Sequence, residues 1–117
     1  MIYQMNERYA QYNWKPDSGE NIVGQFTLRK MKNCTEIWCL GILGLENRNK
    51  GYGQQMMQEL IREHGHKNLR LYVESHNHRA IHIYEKFGFQ YVKNYGDSDT
   101  VRIMLRKATV QPTPVAV

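Results

Sequence analysis

The feature of the sequence that most constrains the fold is a junction at residues 35–65, where an apolar strand leads into an amphipathic helix. Residues 35–45 (TEIWCLGILGL) are almost continuously apolar, as in a strand that is buried on both faces. After Gly51 the apolar side chains recur at helical spacing, at Met56, Met57, Leu60 and Ile61. Gly65 is a typical helix stop. The chain must therefore build a sheet with a helix packed on it.

The remaining periodicity extends this unit in both directions. Residues 2–14 and 22–31 have the pattern of two further strands, joined by turn residues, and with 35–45 they predict an antiparallel meander. After the helix we expect a strand at 69–73, a helix at 77–86, and two more strands. Their positions are 89–94 and 101–105. The prediction is an α+β domain with a mixed sheet, in the order βββαβαββ, over residues 1–108. Residues 109–117, with two prolines, are expected to form a flexible tail.

Composition narrows the classes of function. The chain has 117 residues, a net charge of +5 and a pI near 9.3, which suits an anionic cofactor, an acidic partner or nucleic acid. Its basic residues are scattered without a long run, so we expect no dedicated nucleic-acid site. The apolar run at 37–45 is far shorter than the ~20 residues that span a bilayer, so no membrane association is expected.

The two cysteines suggest a reducing compartment. Cys34 and Cys39 are five positions apart in one predicted strand, so their side chains should point to opposite faces and should not pair easily. Free cysteines are typical of the cytoplasm, where we expect the protein to be located.

The segment between the central strand and its helix has the chemistry of an anion site. Gly51 and Gly53 allow close approach to the backbone, the helix N-terminus offers free N–H groups, and Arg48 and Lys50 add positive charge. Taken alone, a G-x-G pattern at a helix start is weak evidence for such a site and is more typical of a flexible turn. It is not a Walker loop, because no G-x-x-x-x-G-K-[ST] is present, and it lacks the third glycine of a Rossmann fingerprint.

Two motifs resemble those of the GNAT (Gcn5-related N-acetyltransferase) superfamily. Residues 48–53 (RNKGYG) match its loop [QR]-x-x-G-x-[GA], and residues 77–89 (NHRAIHIYEKFGF) resemble its second motif, N-x-x-A-x-x-x-Y-E-K-x-G-F. The resemblance implies transfer of an acetyl group from acetyl-CoA to a primary amine. It also implies that the loop holds the coenzyme A pyrophosphate. The residues concerned are Arg48, Asn49, Lys50, Gly51, Tyr52, Gly53 and Gln54.

The same resemblance assigns further site residues. It places Tyr84 near the coenzyme sulfur as the general acid, although its helix position alone favours a core aromatic. Asn77 is expected to contact the coenzyme. As the first residue of a helix, Asn77 is also expected to cap that helix. A backbone amide among residues 40–42 (Leu40, Gly41 and Ile42) is expected to polarise the thioester, where two parallel strands splay apart.

The general base is less defined. Glu36 is the first candidate because residues 35–37 resemble the start of the corresponding strand in the histone-acetylating branch, but it is one residue out of register. Unless a bulge near Gly41 or Gly44 corrects that register, Glu36 is expected to be a solvated edge carboxylate. Tyr72 and Glu74 are the alternatives.

The chain also departs from the family pattern. The helices usual after the first strand are absent or reduced, so the acceptor side is expected to be open, suited to a protein lysine or N-terminus, or completed in a homodimer. A catalytically silent acyl-CoA-binding sensor or interaction module is the alternative function. His78 and His82 have the i, i+4 spacing of metal ligands, but the polar face of a helix explains them, and no metal cofactor is expected.

Overall fold

The structure is a computed structural model that describes residues 2–4, 8–17, 19 and 21–109. Its strands are β1 (Ile2–Gln4), β2 (Tyr9–Trp14), β3 (Gly24–Lys30), β4 (Thr35–Ile42), β5 (Leu69–Glu74), β6 (Gln90–Asn94) and β7 (Val101–Arg106). The helices are α1 (Tyr52–His64) and α2 (His78–Lys86), and a 3₁₀ turn covers Leu45–Asn47. One mixed sheet has the order β1-β2-β3-β4-β5-β7-β6, with β4 and β5 parallel. The predicted α+β fold is confirmed.

The first predicted strand is in fact two strands. Ile2–Gln4 pairs antiparallel with Tyr9–Trp14, with Tyr3 opposite Gln11, so the chain reverses direction within the segment that we expected to be continuous. The weak alternation of residues 2–14 did not reveal this reversal, because the segment contains no glycine or proline to mark a turn. Among the described residues no α-helix precedes α1.

The core lies on one face of the sheet. Leu69, Leu71 and Val73 alternate along β5 and are all buried, as the period of two predicts. Both helices contribute to the same apolar cluster, α1 through residues such as Leu60 and α2 through Ile81. No helix among the described residues is long and apolar enough to cross a bilayer.

A bulge and a gap interrupt the centre of the sheet. Strands β4 and β5 pair with each other at Thr35–Leu69, Glu36–Arg70 and Ile37–Leu71. Beyond these residues the two strands are not paired with each other, up to their ends at Ile42 and Glu74. On its other side β4 is paired with β3 through Trp38 and again through Gly41, so that Cys39 and Leu40 together face a single β3 residue. Cys39 has a φ of 54°. This bulge bends β4 where it separates from β5.

The chain after β7 is held at its start. The Thr109 amide donates to the Gly65 carbonyl over 2.9 Å, so the residue at which the flexible tail was expected to begin is hydrogen-bonded. Residues 110–117, the rest of that tail, lie outside the described residues. Cys34 is half-buried, Cys39 is exposed, and both are free.

Candidate functional site

A cleft of about 520 Å³ opens where the N-termini of α1 and α2 meet the end of β4. The sequence predicted many of its lining residues, namely Ile42, Arg48, Asn49, Gly51, Tyr52, Gly53, Gln54 and Asn77. Asn47, Arg79, Ala80 and Ile83 complete the lining. Leu40, Gly41, Lys50 and Tyr84 were also predicted but do not line this cleft. The structure therefore brings the two motifs together around one space.

The N-terminus of α1 is open toward this cleft. Its N-cap is Gly51, with a left-handed φ of 77°, and no described side chain caps the helix. Gln55 donates to the Gly51 carbonyl, so the amides of the preceding turn have no partner within the helix. Asn49 also has a positive φ, of 61°. These amides and the helix dipole can together hold an anionic group.

The N-terminus of α2 is capped, in contrast. The Asn77 side chain accepts a hydrogen bond from the Ala80 amide over 3.2 Å, as the capping prediction requires. One residue before Ala80, Arg79 donates to the Asn49 side chain over 3.1 Å. Arg79 therefore ties the two motifs together and adds a positive charge to the cleft. This residue was not predicted as part of the site, although its position in the first turn of α2, close to Asn77, was a usable signal.

Three glycines of the predicted donor site border open space. An added Cβ at Gly41, Gly51 or Gly53 would meet no heavy atom of the described residues within 4 Å. At Gly51 the positive φ already explains the glycine. No such strain exists at Gly41 or Gly53, so the free space there fits a ligand that passes close to the backbone.

The end of β4 directs an amide into the gap. Leu43 donates to the Val23 carbonyl beside β3, over 2.8 Å. Because successive backbone amides of a strand point to alternate sides, the amide of Ile42 points away from β3, toward the gap that opens between β4 and β5. It lies within the segment for which an oxyanion-binding amide was predicted.

Tyr84 lies one helical turn beyond Ala80 and half-buried. Its ring packs edge-on against Phe89, with centroids 6.0 Å apart, and belongs to the margin of the core. No described residue hydrogen-bonds its hydroxyl. Burial raises the pKa of Tyr84 above its ordinary value, so the phenol keeps its proton at neutral pH. The side chain is therefore both a core aromatic and an available proton donor.

Glu36 is the centre of a buried polar network. Its side chain is 2% exposed, and one carboxylate oxygen accepts from Arg70 at 3.0 and 2.5 Å and from the Tyr72 hydroxyl at 2.5 Å. The other oxygen accepts from the Trp38 indole over 3.2 Å and lies 3.6 Å from Arg29. Burial alone would raise the pKa of Glu36, but the hydrogen bonds from Tyr72, Arg70 and Trp38 outweigh it, and the pKa is lowered.

The expectation of a solvated edge carboxylate at Glu36 was wrong. The bulge that was considered does exist, at Cys39 and Leu40. Glu36 lies before it, where β4 is still paired on both sides, so two arginines and one tyrosine of the neighbouring strands enclose the carboxylate. Burial and the hydrogen bond to Glu36 raise the pKa of Tyr72 to about 12.

Glu74, the remaining base candidate, has a different environment. It ends β5 at the gap, its side chain is 66% exposed, and its carboxylate lies 3.1 Å from the His76 ring. In the described part of the chain, no group of three or more His, Cys, Asp and Glu side chains is arranged to hold a metal ion.

Replacement of Glu36 by glutamine is expected to destabilise the fold by about 2–3 kcal/mol, because it leaves Arg70 and Arg29 facing each other without a counter-charge. Those two side chains are 30% and 31% exposed, which keeps the loss below that of a fully buried pair. Thermal unfolding, followed by circular dichroism, measures this loss of stability. The lowered pKa means that the carboxylate stabilises the fold above its unfolded-state pKa of about 4.3 and stops doing so as pH falls. The difference between the two proteins should therefore shrink in acid. Equal melting temperatures at pH 7 would contradict this description of the network.

Comparison of the sequence with protein families gives a match to the Acetyltransferase (GNAT) family over residues 3–89. This stretch is well over half of the chain. The protein belongs to the GNAT acetyltransferase family. Comparison with curated proteins found no relative.

Solved structures of this family share the fold. A protein described as a GNAT-family acetyltransferase from Bacteroides thetaiotaomicron is 18% identical with a TM-score of 0.74, covering 91% of this chain and 65% of its own. The ribosomal-protein-S18-alanine N-acetyltransferase from Escherichia coli is 17% identical with a TM-score of 0.73, covering 97% of this chain and 77% of its own. A GNAT family acetyltransferase from Elizabethkingia anophelis with acetyl-CoA bound is 18% identical with a TM-score of 0.67, covering 86% and 76%. This GNAT chain thus spans about two thirds to three quarters of the length of these proteins.

Proposed function

We propose that this GNAT protein is an N-acyltransferase that moves an acetyl group from acetyl-CoA to a primary amine. The observation that carries the proposal is the uncapped N-terminus of α1, which opens beside Gly53 onto a cleft next to the β4–β5 gap. An anionic group and a narrow chain beyond it would fit that combination.

The donor would be held mainly by backbone groups. The amides of Tyr52, Gly53 and Gln54 would bind the pyrophosphate, with Arg48 and Arg79 supplying charge. The apolar side chains of Ala80 and Ile83 would cover the arm that follows. The open space at Gly41 leads this path into the gap, where the Ile42 amide is directed.

The chemistry would be direct transfer without a covalent enzyme intermediate. The amine attacks the thioester carbonyl, the carbonyl oxygen gains a hydrogen bond from a backbone amide among residues 40–42, and the Tyr84 hydroxyl gives its proton to the leaving sulfur. The raised pKa of Tyr84 keeps that proton in place until the sulfur becomes charged. The acceptor attacks as the neutral amine, so its ammonium form must first give a proton to a base or to water.

Among the base candidates the geometry favours Glu74. Glu36 is already held by four side chains and has a lowered pKa, and Tyr72, with a pKa of about 12, is a donor at working pH. Neither is suited to accept a proton. Glu74 is exposed at the gap and can accept one directly or through water. Glu36 and Tyr72 would then shape the wall of the gap.

The acceptor is proposed to be an amine of a protein. The described residues before α1 contain no α-helix, which leaves the acceptor side open enough for a macromolecule. The E. coli structure with the same fold is named for acting on an alanine of ribosomal protein S18. An N-terminal amine is therefore tested first, with a lysine amine as the second choice. A cytoplasmic location and a homodimer remain predictions.

An acceptor screen tests the proposal. Thiol release from acetyl-CoA is followed with an alanine-initiated peptide, a lysine peptide blocked at its N-terminus, and spermidine. We expect release that depends on one of the peptides, together with calorimetric binding of coenzyme A. The engagement of Glu36 in its network would also suit the alternative, a silent acyl-CoA sensor. Binding without turnover on any amine would decide for that alternative.

A further inference from the structure

A second pocket, of about 310 Å³, lies at the opposite end of α1 from the cleft. It is bounded by His64 at the end of α1, by His66 and Lys67 just after it, and by Lys30 at the end of β3. A helix of 13 residues is about 20 Å long, so this pocket is separate from the proposed donor site.

The lining of this pocket carries charge of one sign. Arg8, Lys30 and Lys67 contribute three cations, His64 and His66 also line the space, and no aspartate or glutamate of the described chain does. Basic residues at a helix C-terminus complement the helix dipole, which explains His64. That effect does not explain Lys30, which comes from a strand. Side chains from separate elements thus converge on one concave surface.

His64 has an unsatisfied nitrogen in this setting. Its ring packs edge-on against Tyr12, with centroids 5.4 Å apart. Its Nε2 is buried and has no hydrogen-bond partner among the described residues; Glu63, the nearest carboxylate, is 3.8 Å away. Burial lowers the pKa of His64, Lys30 and His66 lower it further, and Glu63 opposes them. A ring that lines the pocket therefore has a buried nitrogen without a partner, beside positive charge. An anion would balance that charge and could accept from the nitrogen in its N–H form.

We propose that this pocket binds a small oxyanion, a phosphate or carboxylate group carried by a metabolite-sized ligand. Its volume is at the lower end of the range for small-molecule sites, which fits a ligand of that size. Lys30 and Lys67 would pair with the anion, and the His64 ring would protonate and donate to it. Inorganic phosphate and citrate serve as probes of the two oxyanion types.

The test follows the histidine ring signals of the full chain by NMR at pH 7, with ionic strength held constant by sodium chloride. Phosphate should shift the His64 and His66 signals saturably, because an adjacent anion raises the pKa of His64. The Lys30→Ala/Lys67→Ala double variant should bind at least about tenfold more weakly, since it loses two charge-assisted contacts. A matched double variant, Lys93→Ala/Lys107→Ala, removes two exposed lysines outside the pocket lining and should titrate like the wild type.

Each outcome of the titration either supports or overturns the proposal. A saturable response to phosphate alone assigns a phosphate site, and a response to citrate as well assigns a general oxyanion site; both support the proposal. A drift that never saturates, no shift with either probe, or equal affinity in the Lys30→Ala/Lys67→Ala variant overturns it. Retained dispersion of the backbone amide signals shows that each variant is folded. The result does not depend on acetyl transfer.

Discussion

Replacement of Tyr84 by phenylalanine is expected to lower kcat for acetyl transfer by about 10²- to 10³-fold, while coenzyme A binds with nearly unchanged affinity. The ring that packs against Phe89 remains, and the hydroxyl has no partner among the described residues, so folding should be barely affected. What is lost is the proton for the leaving sulfur. Without it the thiolate must depart unprotonated, and the loss falls on the chemical step and not on binding.

The measurement is steady-state thiol release, together with calorimetry of coenzyme A and a melting curve. Tyr91→Phe is the matched control, because the Tyr91 hydroxyl donates a hydrogen bond to Asn94 on the exposed edge strand β6, away from the cleft. It should keep full kcat. If Tyr84→Phe also kept full kcat, Tyr84 would not be the acid. The same would hold if its kcat fell only together with its melting temperature.

Replacement of Gly53 by aspartate is expected to stabilise the protein and abolish donor binding at once. Gly53 lies in the first turn of α1 without a positive φ, so aspartate costs no backbone strain there. Loss of a helical glycine and gain of an acid near the helix N-terminus should together add about 0.5–1 kcal/mol. The new carboxylate would occupy the space of the pyrophosphate and repel it, which should weaken coenzyme A binding by at least about 100-fold.

Opposite signs for stability and binding distinguish this result from general damage. Gln58→Asp is the matched control, because it adds the same charge to the exposed side of α1, outside the cleft lining. It should leave coenzyme A affinity within about threefold of the wild type. Equal binding by Gly53→Asp and the wild type would place the donor elsewhere.

The parts of the site that depend on local pattern could be predicted. The periodicity after Gly51 fixed the start of α1 and, with it, the uncapped amides. Asn77 could be recognised as a cap because capping is a contact between neighbours in sequence. The two motifs also indicated that these helix ends would meet.

The parts of the site that depend on strand pairing could not be predicted from the sequence. The surroundings of Glu36 come from β3 and β5 and follow from register, which a single strand does not encode. The glycine at 41 suggested a bulge nearby, but nothing in the sequence marked its position at Cys39 and Leu40, since neither residue is a glycine. The basic residues seemed scattered along the chain, yet the turn after α1 and the end of β3 bring Lys30, His64 and Lys67 together.

The most direct test of the donor site is an NMR titration of the ¹⁵N-labelled chain with coenzyme A. We expect the largest amide shifts at residues 52–54, at 77–80 and at 40–42, because these segments lie around the cleft and at the end of β4 beside the gap. Shifts confined to the basic pocket at His64 and Lys67, with the amides of residues 52–54 unmoved, would contradict it.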